Sequence, residues 1–395
     1  MRPRSLVAVA ALALAAGLQA GPARAAEPAA TAVTVAVAQP AATAPAVTAA
    51  AGADPAPVPA WKPTLKVGGY VQGEFDGGAR GDSRFPESDR FFLRRARVTF
   101  SGAVLPHLLY RIQADFAGGL GSASSIKGAM TDGYIEWTQF AHAHVRVGQF
   151  KAPFGYEWLV AATQIVTAER TLATDRLTLN RQIGAEVIGD FAQGRLGYRA
   201  GIFNGNGRNT TANDNGKFLY VVRGTAVPWR TAHGGVLQLG VDAYSSTDTA
   251  LSMPKDFGLD STPGTPAADN LFTGKRTGAG VDGHFASGAW RMDAEFLRAR
   301  FQQQNGVVQP DVIADGWYLS PGAFVYRRLV QVIGRYEQFR PDTAIAGNET
   351  KTWLAGLNYY ARGANAKLTV DYLWVDAPGD PGEHSKVLAQ IQVVF

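Results

Sequence analysis

The sequence predicts an all-β chain, a transmembrane antiparallel β-barrel of about sixteen strands. Three observations carry this expectation. First, from Trp61 to Phe395 the chain breaks into strand-length segments in which apolar and polar residues alternate, so that successive side chains face opposite media. Second, the connections between these segments alternate short and long, the asymmetry of barrels with tight turns at one end and loops at the other. Third, segments such as FLRRARVTF (92–100) set a cationic side against an apolar one. A charge facing lipid costs roughly 2–4 kcal/mol at mid-membrane, so the charged side must look into a wet lumen.

The N-terminus reads as a targeting segment. Arg2 and Arg4 precede an apolar run from Leu6 to Leu18, and Ala23-Arg24-Ala25 offers a small-x-small cleavage site. This is the pattern of a secretory signal peptide rather than a spanning helix. Residues 26–60 are almost all Ala, Pro, Val and Thr, without an aromatic residue, the composition of a linker that cannot seed a core. The expected organisation is a signal peptide over 1–25, a periplasmic linker over 26–60 and a barrel over 61–395. Removing Arg2, Arg4 and Arg24 takes the formal net charge from +5 to +2, so the basic balance does not point to nucleic acid as a partner. No cysteine is present, and stability must come from the hydrogen-bonded sheet and its packing.

In chain order, strands are expected near Thr64–Phe75, Phe91–Val104, His107–Phe116, Ala129–Phe140 and His144–Phe150. After a long gap come Arg181–Phe191, Arg195–Asn204, Lys217–Val227 and Gly235–Tyr244. The remainder are Lys275–Phe285, Ala289–Phe301, Ala314–Val325, Arg328–Arg340, Thr350–Ala361, Ala364–Val375 and His384–Phe395. Period two assigns their faces. Leu368, Val370, Tyr372 and Trp374 oppose Lys367, Thr369 and Asp371. Trp290, Met292 and Phe296 oppose Arg291, Asp293 and Glu295. Strict alternation in FLRRARVTF puts Leu93, Arg95, Arg97 and Thr99 on one side and Phe92, Ala96, Val98 and Phe100 on the other. Arg94 is left for the rim or interface, where a long stem can snorkel. The lumen wall then carries Arg95, Arg97, Arg111, Arg146, Arg199 and Arg223, either as an anion track or as an ion-pair belt with Asp115, Glu136 and Glu186 on neighbouring strands.

FFLRRARVTFSG (91–102) with YRIQADF (110–116), VGQFKAPFGYEW (147–158) and NRQIGAEV (180–187) resemble the phosphate-selective porins O and P of Gram-negative bacteria. The resemblance implies a homotrimeric outer-membrane porin of sixteen strands per subunit, a third external loop folded into the lumen, and a water-filled pathway for small anions such as phosphate or polyphosphate lined by arginine. The residues support the loop independently. Segment 151–180 is long and apolar, with a helix-like run near Trp158–Arg170, and such a segment is better placed against the wall than in water. Lys151, Arg170, Arg176 and Arg181 are then the constriction candidates, accompanied by Glu157, Glu169 and Asp175. Lysine is sparse here compared with the family's pattern, which leaves a general, weakly selective porin or a structural or adhesin barrel as alternatives.

No catalytic residues, cofactor or metal are expected. His142 and His144 have a metal-compatible spacing but fall, with His107 and His233, in expected periplasmic turns, while His284 and His384 are expected at strand ends. Gly205-Asn206-Gly207 reads as a tight external loop, since no helix follows to cradle a phosphate. No G-x-S-x-G or H-E-x-x-H occurs, so hydrolysis has no motif. The chain closes with an alternating strand and a terminal Phe395, the kind of aromatic end that resembles a signal for the outer-membrane insertion machinery in a lipid-embedded barrel.

Overall fold

The computed structural model describes residues 61–79, 84–85, 89–117, 128–252, 271–303, 311–378 and 384–395; the expected signal peptide and linker lie outside them. Sixteen strands follow one another: β1 (Lys66–Gly78), β2 (Arg90–Leu105), β3 (Leu108–Asp115), β4 (Ala129–Phe140), β5 (Ala143–Lys151), β6 (Arg181–Phe191), β7 (Leu196–Phe203) and β8 (Leu219–Arg230). The second half is β9 (Val236–Ser252), β10 (Leu271–Ser287), β11 (Trp290–Gln303), β12 (Val312–Tyr326), β13 (Val330–Arg340), β14 (Thr350–Ala364), β15 (Ala366–Asp376) and β16 (His384–Val394). Each pairs antiparallel with the next, and β16 returns to β1 with Tyr70 opposite Val394. Closure leaves no sheet edge, so every strand satisfies its backbone groups within the wall, as a membrane requires.

The faces divide by medium. Gln72, Glu74, Asp76, Lys367, Thr369 and Asp371 are buried, while Ile112, Trp290, Met292 and Trp374 are exposed. Polar-in and apolar-out is the inverse of a soluble core and matches an outer surface solvated by lipid.

Two expectations fail for identifiable reasons. The strand expected to end at Tyr244 runs to Ser252, and its partner starts at Leu271 rather than Lys275, with Leu271 opposite Ser252. Much of the loop expected at 245–274 is therefore ladder, while residues 253–270 lie outside the described part. Beyond the apolar band both faces of a strand are wet, so SSTDTALS loses its alternation while its hydrogen bonding continues. The second failure is in β2. Gln72 pairs with Arg95 and Gly73 with Leu93, so the register skips Arg94. This β-bulge reverses the facing of everything before it. Phe91 and Leu93 become exposed, and Phe91 packs on the outward Phe75 with ring centroids 4.8 Å apart. Arg94 turns inward instead of sitting at the rim, and Leu93 leaves the arginine side.

The connection between β5 and β6 does not contain one helix over 158–170. It holds two short turns of helix, α1 (Tyr156–Leu159) and α2 (Leu172–Leu177), joined by non-helical chain. Thr171 caps α2, its hydroxyl accepting from the Thr174 N–H at 3.2 Å.

Candidate functional site

All six expected wall arginines carry an acidic partner. Arg97 donates to Asp115 at 2.7 Å, and Arg111 lies 3.6 Å from Asp132. Arg146 bridges Glu136 at 2.6 Å and Glu186 at 3.0 Å, and Arg199 binds Glu186 at 2.8 Å. Arg223 sits between Asp242 and Asp282. Arg95 donates to the Gln72 amide oxygen at 2.8 Å and approaches Glu169 to 4.0 Å. The wall is an ion-pair lattice, as low-dielectric burial of charge demands.

The β5–β6 connection lies against the inward faces of strands on several sides. Its apolar residues Phe154, Leu172, Leu177 and Leu179 pack with Phe203, Leu219, Leu297 and Phe339 from the wall. Val166 and Ala168 pack with Ile333, Leu354, Leu373 and Leu388. Each large apolar side chain so buried is worth roughly 1.5–3 kcal/mol. The inward face is thus apolar where the connection covers it, which period two alone does not reveal.

Polar groups of the wall meet the backbone of the connection. Asp242 accepts from the Gly155 N–H at 3.0 Å, Glu295 from the N–H groups of Tyr156 and Glu157, and Asp371 from the Ala168 N–H at 2.7 Å. Lys367 donates to the Ile165 carbonyl at 2.7 Å, Asn358 to that of Val166 at 2.7 Å and Gln392 to that of Thr163 at 3.0 Å. Because wall side chains take over these bonds, the backbone of 160–171 needs no helix.

Cations concentrate where this segment meets β2 and β5. The Lys151 ammonium, Arg170 and Arg181 lie 5.1, 5.2 and 5.8 Å from the Trp158 ring centroid, within range of cation–π attraction. Lys151 donates to the Val160 carbonyl at 3.0 Å, Arg170 to the carbonyls of Glu157 and Val160, and Arg181 to Asp132 at 2.8 Å. Arg176 lies on α2, half-buried. Arg94, the bulge residue, grips Glu169 with two guanidinium nitrogens, one of them at 2.9 Å. Burial would push the Glu169 carboxyl up, but Arg94, Arg95 and Arg84 outweigh it and hold it at about 2. Burial and the neighbouring Arg181 and Arg94 push Arg170 down from its ordinary value, against the pull of Glu157 and Glu169.

Exposure shows which side of the interior stays open. Lys367, Asp371 and Lys386, on strands that the segment covers, are almost fully buried. By contrast the side chains of Arg111, Arg146 and Arg199 keep 37%, 19% and 23% of their surface accessible. Along this open wall Arg97, Arg111, Arg146 and Arg199 meet as many acids, Asp115, Asp132, Glu136 and Glu186, but Arg111, Arg146 and Arg199 keep more surface accessible than the carboxylates they pair with. Sequence reasoning missed Arg94 and the carboxylates Asp242, Glu295 and Asp371 that hold the segment. Their spacing is ordinary lumen alternation, with no local signal of a backbone opposite.

The histidines separate by environment. His142 sits in a turn, with a ring nitrogen 2.7 Å from the Asp190 carbonyl oxygen. His144 lies inside β5 rather than in the turn, 3.3 Å from Glu136. His284 lies within β10, buried against Asp293. Among the described residues no group of three His, Cys, Asp or Glu is arranged to hold a metal.

The sequence profile of the family described as phosphate-selective porin O and P matches residues 65–385, all but the ends of the closed barrel. The chain belongs to this family. Porin O of Pseudomonas aeruginosa is 23% identical over 287 residues, which span 65% of this chain and 63% of that protein's length. Among solved structures, OmpT of Vibrio cholerae in its trimer form overlays with a TM-score of 0.57 at 12% identity, covering 84% of this family member and 99% of that chain. The anion-selective porin from Comamonas acidovorans overlays with a TM-score of 0.53 at 13% identity, covering 85% of this chain and 100% of that one. At such identities the overlays establish the barrel fold.

Proposed function

We propose that this chain is an outer-membrane porin, a water-filled channel for passive diffusion of small anions, with phosphate or polyphosphate as its preferred class. The observation that carries the reading is the open wall of β3–β7, where Arg111, Arg146 and Arg199 keep more of their surface accessible than the carboxylates they pair with. A narrow low-dielectric pore focuses their field on the solute. Segment 152–180 is the constriction, with Lys151, Arg170 and Arg181 gathered at Trp158 and Arg176 nearby on α2. The Comamonas neighbour, anion-selective by its title, and the family's own description support the class of solute. A signal peptide over 1–25, a linker over 26–60, homotrimeric assembly and insertion through the Phe395 end complete the reading. Passive diffusion calls for neither catalytic residues nor a cofactor. The pairing of wall arginines with acids favours a second reading, a general channel with weak preference and no phosphate site.

Planar-bilayer recordings test it. The full-length channel should show a reversal potential on the anion side in a KCl gradient, and added phosphate should reduce chloride current. R95E/R97E, and separately the more exposed R111E, should insert and shift the reversal potential toward cations. Phosphate without effect on chloride current selects the general channel. An unchanged reversal potential in inserted variants removes these arginines from the pathway, and a barrel without conductance overturns the porin reading.

A further inference from the structure

The arginines of the open wall are matched by acids, so the balance of charge there is decided by any group that can gain or lose a proton. Arg199 binds Glu186, Glu186 binds Arg146 and Arg146 binds Glu136, at 2.8, 3.0 and 2.6 Å. This row across β7, β6, β5 and β4 sets two guanidinium groups against two carboxylates and sums to zero. His144 stands at its end. Strand alternation puts it on the side of Arg146, away from the exposed Val147 of the same strand. Its ring Nδ1 lies 3.3 Å from Oε1 of Glu136, while Oε2 of Glu136 accepts from both Nε and Nη2 of Arg146. The imidazole therefore meets the carboxylate oxygen of the row that no arginine holds.

Few other charged or titratable groups face the ring. β5 itself contributes Arg146, with His142 in the turn before it. β4 contributes Glu136, with Tyr134 beyond it under the Arg146 guanidinium. β6 sets Ile188 opposite His144, flanked by Glu186 and Asp190, and Arg199 of β7 lies opposite Ile188. Water reaches the ring, since 17% of the side chain is accessible. The other five histidines stand elsewhere: His284 is buried against Asp293, His107, His142 and His233 sit in turns, and His384 opens β16.

We propose that His144 is a specificity-determining residue of the channel: protonation of its ring adds one positive charge to a row that is otherwise neutral, so preference for anions strengthens as pH falls. Histidine is the side chain suited to this between about pH 8 and pH 5. The neutral ring bears a proton on one nitrogen and a lone pair on the other, whereas the imidazolium donates from both and presents no lone pair to an anion. A narrow lumen focuses the added charge on the passing solute. The inference rests on the channel reading above.

Planar-bilayer recordings of the full-length protein in a KCl gradient test it. At about 0.1 M salt, a unit charge about 6 Å from a monovalent ion in water changes its local concentration about twofold, upward for an anion and downward for a cation. The chloride-to-potassium permeability ratio of the wild type should therefore rise about fourfold from about pH 8 to about pH 5. His144→Gln should keep the high-pH ratio throughout and His144→Lys the low-pH ratio throughout, whereas His142→Gln, in the turn, should titrate like the wild type. Heat-shifted mobility on SDS gels verifies that each variant is a folded barrel. A wild-type ratio independent of pH, or one that still titrates in His144→Gln, overturns the role of His144 and leaves the channel reading intact. Histidine NMR in detergent reads the proton itself: the ring resonances missing from His144→Gln should titrate in the wild type over the same interval, and resonances that do not move overturn the proposal even in a conducting channel. Absence of conductance in every variant is the separate failure of the channel reading, and it takes the specificity role with it.

Discussion

Replacing Glu169 with Gln removes a charge without removing volume, at the point where the β2 bulge meets the β5–β6 connection. Glu169 is held at about 2 by Arg94, Arg95 and Arg84 against the effect of its burial. Relative to its ordinary value of 4.5, this corresponds to roughly 3 kcal/mol of differential stabilisation of the ionised form. Because the folded value lies below the unfolded one, that contribution is complete above about pH 4.5 and disappears as pH falls toward 2. Glu169 lies in a segment covering an interior wall, so the energy bears on local opening more than on barrel unfolding. The assay is amide hydrogen exchange in lipid or detergent, read on peptides covering 162–172 and corrected for intrinsic rates. At pH 7, Glu169→Gln should lower protection there about a hundredfold. The difference from wild type should hold to about pH 5 and shrink about tenfold per pH unit below 4.5. Equal protection at pH 7, or a difference that does not vary with pH, would refute the claim that charge locks this segment.

Glu295→Ala leaves the Tyr156 and Glu157 N–H groups without their acceptor. A buried N–H left unsatisfied costs about 1–3 kcal/mol, so the connection should loosen, with larger and noisier single-channel conductance; unchanged conductance refutes this latch. Phe395 exchanges both backbone hydrogen bonds with Gly69 at 3.0 Å, closing the β16–β1 seam. Deleting it should lower surface insertion and the temperature of the SDS mobility shift, and a truncated chain that inserts normally speaks against that role. Arg94→Leu removes both guanidinium bonds to the buried Glu169 carboxylate and leaves it the longer contact with Arg95 at 4.0 Å; hydrogen bonds to charged groups contribute about 1.5–3 kcal/mol. That variant should lose heat stability, whereas Arg94→Leu/Glu169→Leu should regain much of it; additive losses would argue against the pair.

The number of strands, their order and, outside the first part of β2, their lipid faces were legible in the sequence because each depends on a rule that acts locally. Alternation in AKLTVDYLWV names Asp371 as inward, and the structure buries it; the medium on either side of a strand is written into neighbouring residues. The ion-pair partners of the arginines were half legible. Arg97 with Asp115 and Arg146 with Glu136 and Glu186 follow once adjacent strands are known, since antiparallel register sets them opposite or diagonal. Three features required the tertiary structure. The bulge at Arg94 is one residue of extra length on β2, and nothing in FLRRARVTF marks which residue the ladder omits. The continuation of β9 to Ser252 survives on backbone hydrogen bonds after side-chain alternation has ended. The course of 152–180 is set by Asp242, Glu295, Asn358, Lys367 and Asp371, on strands far away in the chain. Each looks like an ordinary lumen residue until closure of the barrel brings them around one segment. Period two decides which medium a side chain meets; only closure decides which backbone it meets there.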